Sequence, residues 1–167
     1  NFKQTNKDSI KMTINTLKGK KPNIKIKYHN LNKLGKSSGL IVGGNLSILC
    51  SMLGSLSFLD LKNDYILFIE DVDEHLYQID RMVHTLYRAG VLKRIKGLIV
   101  GQITGVKDNE ISFGKTAYEI IQDITKEYNY PVCFNFPIGH GEKNHPVIIG
   151  AKINLEVNNM FSEMHYE

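Results

Sequence analysis

A mixed α/β domain, on a mixed sheet that is partly closed or barrel-like and flanked by helices, is the fold this sequence predicts. Three observations predict it. Apolar runs of strand length, at Gly39–Val42, Ile66–Ile69 and Gly97–Val100, alternate with stretches whose apolar residues recur at helical spacing. Short strand-like runs then cluster toward the end of the chain. The composition, 42% hydrophobic and 23% charged over 167 residues, is that of a soluble globular protein with one ordinary core.

In chain order, Thr5 and Asp8 resemble a capping box, and Ile10, Ile14 and Leu17 follow at helical spacing up to Gly19. After a lysine-rich connection with Pro22, the alternation from Ile24 to Tyr28 predicts a half-exposed strand. Residues 29–39 are polar and turn-prone, so a domain edge is expected there: 1–36 as a basic helix, strand and linker, 37–167 as the main domain. Gly39–Val42 reads as a short strand broken by Gly43, Gly44 and Asn45. Asn45 then caps a helix with an apolar face of Leu46, Leu49, Cys50 and Leu53, ended by Gly54.

The run Ile66–Ile69 reads as a strand buried on both faces. Asp71, Asp73 and Glu74 favour a helix start beyond it, through their charge against the helix dipole. Leu76, Ile79, Val83 and Leu86 form that helix's buried stripe, Gly90 closes it, and His75 and His84 are left toward solvent. Gly97–Gly101 is the next buried strand. Ala117, Ile120, Ile121 and Ile124 mark a further helix, and Pro131–Phe134 a further strand. The tail predicts strands at Val147–Ile149, Ala151–Val157 and Met160–Met164, with a turn at Asn158 and Asn159.

Charge is uneven: residues 1–36 hold ten Lys and one Asp, a net of +9, so the rest carries −5 of the overall +4. With no Arg, no aromatic interleaving and no binding motif in that segment, nucleic acid is not the expected partner. No apolar run approaches the roughly 20 residues of a membrane helix, so no membrane partner is expected either. Cys50 and Cys133 lie in apolar patterns far apart, which suits free thiols in a reducing compartment. A first residue of Asn1 reads as a fragment or a trimmed chain.

Two segments carry the chemistry. Glu70 ends a buried apolar run, where a carboxylate needs a partner or a site. His140 stands between Gly139 and Gly141, just after Pro137, on backbone that must turn sharply. A carboxylate orienting an imidazole is two of the three parts of a nucleophilic triad, and no Ser in this chain has a recognisable setting for the third. The Gly43–Asn45 turn reads either as a cradle for a phosphate or carboxylate or as a tight turn with a helix cap. His140 and His145, five residues apart with no third ligand, do not make a zinc site, and no metal or cofactor is expected.

Five motifs in order, Gly39–Leu49, Ile66–Asp71, Glu74-x-x-Tyr77-x-Ile79-Asp80-Arg81, Gly97-x-Ile99-Val100-Gly101 and Gly139-His140-x-x-x-Asn144, resemble the serine-type LD-carboxypeptidases. That family includes muramoyltetrapeptide carboxypeptidase and the microcin-immunity peptidases. The resemblance covers roughly residues 30–157. It departs from the family where Pro146–Ile149 is more aliphatic than usual and the loop before Gly39 is rich in Lys and Ser. It implies a swivelling β/β/α type domain and a Ser–Glu–His triad in which Glu70 and His140 match the last two members. The nucleophilic Ser is then expected from an N-terminal domain outside this chain, leaving this C-terminal domain inactive alone. The implied activity is cytoplasmic release of terminal D-Ala from muropeptide tetrapeptides in peptidoglycan recycling. Alternatives are an immunity-type peptidase acting on a peptidyl-adenylate and a non-catalytic interaction domain. Gly43, Gly44, Asn45 and Arg81 are the expected substrate contacts. The expected partners are the muropeptide, the N-terminal domain and a second copy of the chain.

Overall fold

The computed structural model describes residues 6–60 and 62–167. Its elements are α1 (Lys7–Leu17), β1 (Asn23–Lys27), β2 (Gly35–Asn45), α2 (Leu46–Met52), β3 (Tyr65–Val72), α3 (Leu76–Arg88), α4 (Val91–Arg94), β4 (Gly97–Thr104), α5 (Ala117–Thr125), β5 (Val132–Cys133), β6 (Lys152–Val157) and β7 (Phe161–Tyr166). The strands form one mixed sheet in the order β1-β7-β6-β2-β3-β4-β5. β2 to β5 run parallel, whereas β6, β7 and β1 add to β2 in antiparallel fashion.

Helices cover one face. Leu67, Ile69, Leu98 and Val100 point from the parallel strands into a core shared with Leu46 and Leu49 of α2, with the α3 stripe and with Ile120 and Ile121 of α5. The opposite face forms a second core from Ile24, Ile41, Ile66, Phe68, Ile99, Cys133, Leu155 and Met164, drawn from all seven strands. A flat sheet cannot bring its two edges into one cluster, so the sheet curls around this core. Partial closure comes from residues 28–34. Lys33 exchanges backbone hydrogen bonds with Val132 of the edge strand β5, at 2.9 and 3.1 Å. The Asn32 carboxamide donates to Ser162 Oγ in β7 (3.0 Å) and accepts from Phe134 N (2.8 Å).

Several elements differ from expectation, each for a physical reason. Thr5 lies outside the described residues; Asn6 caps α1 by accepting from Ser9 N at 2.8 Å. The α1 stripe is displaced: Ile14 and Leu17 are 47% and 82% exposed, while Ser9 is buried and Met12 meets the inner core. β2 does not stop at Val42 but runs through Gly43 and Gly44 to Asn45, because Phe68, Ile69 and Glu70 of β3 continue the ladder beside them. Asp71, Asp73 and Glu74 do not start α3. Asp71 ends inside β3, Asp73 takes a left-handed φ of 62°, and His75 occupies the cap with its Nδ1 buried, so His75 does not face solvent as expected. His84 does. Val147–Ile149 forms no strand; Val147 and Ile148 pack on the inner core as irregular chain. The short α4 has no periodic signal in four residues.

Candidate active site

The C-terminal ends of the parallel strands bring Asn45, Glu70 and Gln102 to one edge of the sheet, where ligands of α/β sheets characteristically bind. At Glu70 the β3–β4 register slips between Ile69 and Asp71. Two consecutive carboxylates there act differently. Glu70 reaches the His140 loop, and Asp71 reaches the N-terminus of α2.

His140 Nδ1 lies 2.6 Å from Glu70 Oε2, the contact expected for residues 70 positions apart. The Glu70 side chain is 8% exposed and that of His140 is 51% exposed. Nε2 makes no hydrogen bond to a protein group among the described residues, and half of the side chain is exposed. The glycines beside His140 make the approach possible. Gly139 has φ 130°, and a Cβ there would stand 3.0 Å from Glu70 Oε2 and 3.1 Å from Gln102 O. A Cβ on Gly141 would collide with the carboxamide of Gln102.

The loop is also tied from below. Asn144 Oδ1 accepts from Gly139 N at 3.2 Å, and Asn144 N donates to the buried Ser9 Oγ at 3.2 Å. Ser9 Oγ also meets His145 Nδ1 at 3.2 Å, His145 N donates to Pro137 O, and Asn6 N donates to Glu142 O. Burial, with the charge of Lys143 acting the same way and Asp8 opposing, holds His145 below its ordinary pKa. The first turn of α1 therefore fixes the loop that carries His140.

Of the expected substrate contacts, Asn45 and Gly43 are held within the fold, whereas Gly44 and Arg81 are open. Asn45 Oδ1 accepts from Ile48 N and Ser47 Oγ, and its Nδ2 donates to Asp71 Oδ1 at 2.7 Å. Asp71, fully buried, also accepts from Ser47 N at 3.1 Å and Val72 N at 2.9 Å, placing a carboxylate against the α2 N-terminus. Burial, with the charge of Asp71 acting the same way, pushes the Cys50 thiol up to about 11. Gly43 is held tightly, since a Cβ there would collide with the Phe68 carbonyl oxygen, whereas Gly44 faces open space. Arg81 is exposed on α3, 4.9 Å above the Tyr77 ring, with no hydrogen bond or ion pair to Glu70 or His140 among the described residues. Sequence reasoning missed Gln102 and Ser9, which carry no motif. It assigned Asp71 to the wrong helix.

Both cysteines are free. Among the described residues no three His, Cys, Asp or Glu side chains gather as metal ligands, and no helix is long and apolar enough to cross a membrane.

With this geometry in hand, comparison with known proteins is decisive on one point. The profile of the LD-carboxypeptidase C-terminal domain matches residues 38–155. The chain belongs to that family. Over 118 residues it is 36% identical to the probable murein peptide carboxypeptidase of Bacillus subtilis (strain 168), covering 71% of this chain and 37% of that protein. It is 27% identical to the murein tetrapeptide carboxypeptidase of Pseudomonas aeruginosa, over 73% of this chain and 39% of that protein. This LD-carboxypeptidase-type domain thus spans well under half the length of those curated relatives. Its fold is similar to that of part of muramoyltetrapeptide carboxypeptidase from Oxalobacter formigenes, with TM-score 0.85 at 24% identity over 94% of this chain and 53% of that one.

Proposed function

We propose that this chain supplies the carboxylate and the imidazole of a Ser–Glu–His triad in a serine-type LD-carboxypeptidase. The reaction is hydrolysis of the L,D peptide bond that holds the terminal D-Ala of muropeptide tetrapeptides, a step of cytoplasmic peptidoglycan recycling. The observation that carries this reading is the 2.6 Å contact between a buried carboxylate and one nitrogen of a half-exposed imidazole whose other nitrogen has no hydrogen-bond partner among the described residues. Family membership and the names of the curated relatives support it.

Glu70 takes a hydrogen bond from Nδ1–H, which leaves the lone pair of His140 on Nε2. A serine hydroxyl from a segment outside this chain gives its proton to Nε2 as Oγ attacks the amide carbon. The C–N bond then breaks and the same proton passes to the departing nitrogen of D-Ala. Water repeats the sequence on the acyl-enzyme and returns the proton to Ser. Glu70 remains ionised throughout and stabilises the imidazolium.

Incubating the full-length protein with muropeptide tetrapeptide tests this. Release of D-Ala, abolished by His140→Ala, is expected, and no release defeats the reading. Hydrolysis of a peptidyl-adenylate without D-Ala release would favour the immunity-type alternative instead. This chain by itself is expected to release no D-Ala, since the nucleophile and the oxyanion donors on its turn come from elsewhere.

A further inference from the structure

A carboxypeptidase must recognise an acid as well as cut an amide; Asn45 is held by Asp71 and the start of α2, and Arg81 lies over Tyr77 without a hydrogen bond or ion pair to Glu70 or His140 among the described residues. Beside the His140 loop lies a cavity of 480 Å³ between β1 and residues 134–145, lined by Lys25, Lys27, His29, Gln102, Lys143 and His145 among others, with no Asp or Glu in its wall. Lys25 is already engaged, 3.4 Å from Glu163 and over the Phe161 ring. Lys27 and Lys143 have no carboxylate partner among the described residues. Apolar walls from Ile26, Phe134 and Pro137 complete the space, so a small apolar group bearing one negative charge fits its chemistry. The cavity is joined to the candidate catalytic pair in two ways. Pro137, Lys143 and His145 bracket His140 on one loop, and Gln102 lines the cavity while its carboxamide packs against Gly141. That carboxamide has a buried Oε1 with no hydrogen-bond partner among the described residues, an acceptor at this junction that an amide N–H of a bound peptide, not its carboxylate, would satisfy.

We propose that this cavity is a carboxylate subsite, in which Lys27 and Lys143 hold an acidic group of the peptide whose bond is presented to His140. The assignment rests on the peptidase reading but specifies where the acid of the substrate is read. It also gives the basic first segment a role: Lys27 of β1 faces the same space as the His140 loop. Burial holds His29 and His145 below their ordinary pKa, so at neutral pH the fixed positive charge of the wall is that of its lysines.

The test uses this chain with N-acetyl-D-alanine and N-acetyl-D-alaninamide, followed by NMR at the ring resonances of His29 and His145. The acid is expected to shift both rings. Its affinity should fall about tenfold or more in Lys27→Ala/Lys143→Ala, and about tenfold when the carboxylate is replaced by the amide, each equivalent to roughly 1.4 kcal/mol. Both lysines are exposed, so the variant should keep the native spectrum elsewhere. Equal binding of acid and amide, or shifts that map to Arg81 instead, would overturn the assignment. Inorganic phosphate shifting the same rings where N-acetyl-D-alanine does not would overturn it in favour of a phosphoryl site, and silence with both ligands would remove the site altogether. Failure of the full-length protein to release D-Ala, with acid binding intact, would remove the peptidase reading and leave the subsite standing.

Discussion

His140 can accept a proton only through the nitrogen that Glu70 leaves free, so the value of Glu70 lies in the tautomer it selects. Glu70→Gln keeps the size and burial of the side chain but can donate to Nδ1, which turns the ring over to the wrong tautomer. We expect kcat for D-Ala release by the full-length protein to fall about 10³–10⁴-fold with KM little changed, measured in steady state. Retention of more than a tenth of wild-type kcat would show that Glu70 is not the orienting group. Residue types alone favour a structural role for Glu70 and for His140; the pair was legible through the resemblance of the Ile66–Asp71 and Gly139–Asn144 motifs to the LD-carboxypeptidases, with a carboxylate ending an apolar run as the supporting physical signal. His145 was not legible: its burial depends on Ser9, which no local pattern connects to it. From about pH 8 upward, His145 and His29 are neutral in both folded and unfolded chains and add no pH dependence. Below that, the unfolded chain binds protons first, because burial lowers both groups in the fold, so stability declines as pH falls toward the lowered values. Urea midpoints should therefore drop between about pH 7 and 5, and His145→Gln should make that decline shallower. An unchanged slope in the variant would contradict the role of burial at His145.

At the scale of elements, strands and helices with complete periodic faces were readable, while their ends were set by partners. The α3 stripe of Leu76, Ile79, Val83 and Leu86 is buried as the spacing predicts. β2 runs on through two glycines only because β3 lies beside them, a cause invisible to any local pattern. The same applies to the two glycines around His140, which look alike in sequence and differ in what they meet. Gly139 combines φ 130° with the fixed backbone of Gln102 and the Glu70 side chain, none of which can yield cheaply. The nearest atoms to a Cβ on Gly141 belong to the far end of the Gln102 side chain, which can swing away. Gly139→Ala should therefore cost about 1–3 kcal/mol and displace the loop, with lost activity not recovered by Gln102→Ala. Gly141→Ala should cost less, and Gln102→Ala should cancel most of its effect. Denaturant melts and turnover of the single and double variants check both expectations. Equal rescue of the two glycine variants would mean that backbone strain does not govern position 139.

Over the whole molecule, the basic first segment reads as an edge in the sequence, but its side chains are distributed through the structure. Ile24 enters the inner core, Asn32 connects β7 with Phe134 beside the opposite edge, and Lys33 pairs with Val132. Lys25 and Lys36 meet Glu163 and Glu156 across the antiparallel ladders at 3.4 and 3.0 Å, which offsets part of the charge excess locally. Exposed pairs of that kind contribute little to stability, about 0–1 kcal/mol each, so the segment is held mainly by burial and by the ladders. Composition could not reveal this, because a lysine-rich stretch looks the same whether it is a tail or the outer face of strands. We therefore propose that the segment folds with the rest as one cooperative unit and also holds the candidate catalytic loop, through Ser9 on Asn144 and Asn6 on Glu142. A chain trimmed to residues 37–167 loses β1, one wall of the inner core and every one of those loop contacts. It should unfold at lower urea than the full chain, with faster amide exchange at 139–145, whereas the full chain should unfold in a single transition by fluorescence and circular dichroism. A trimmed chain with an unchanged midpoint and an equally protected loop would restore residue 36 as a domain edge and leave α1 without a part in placing His140.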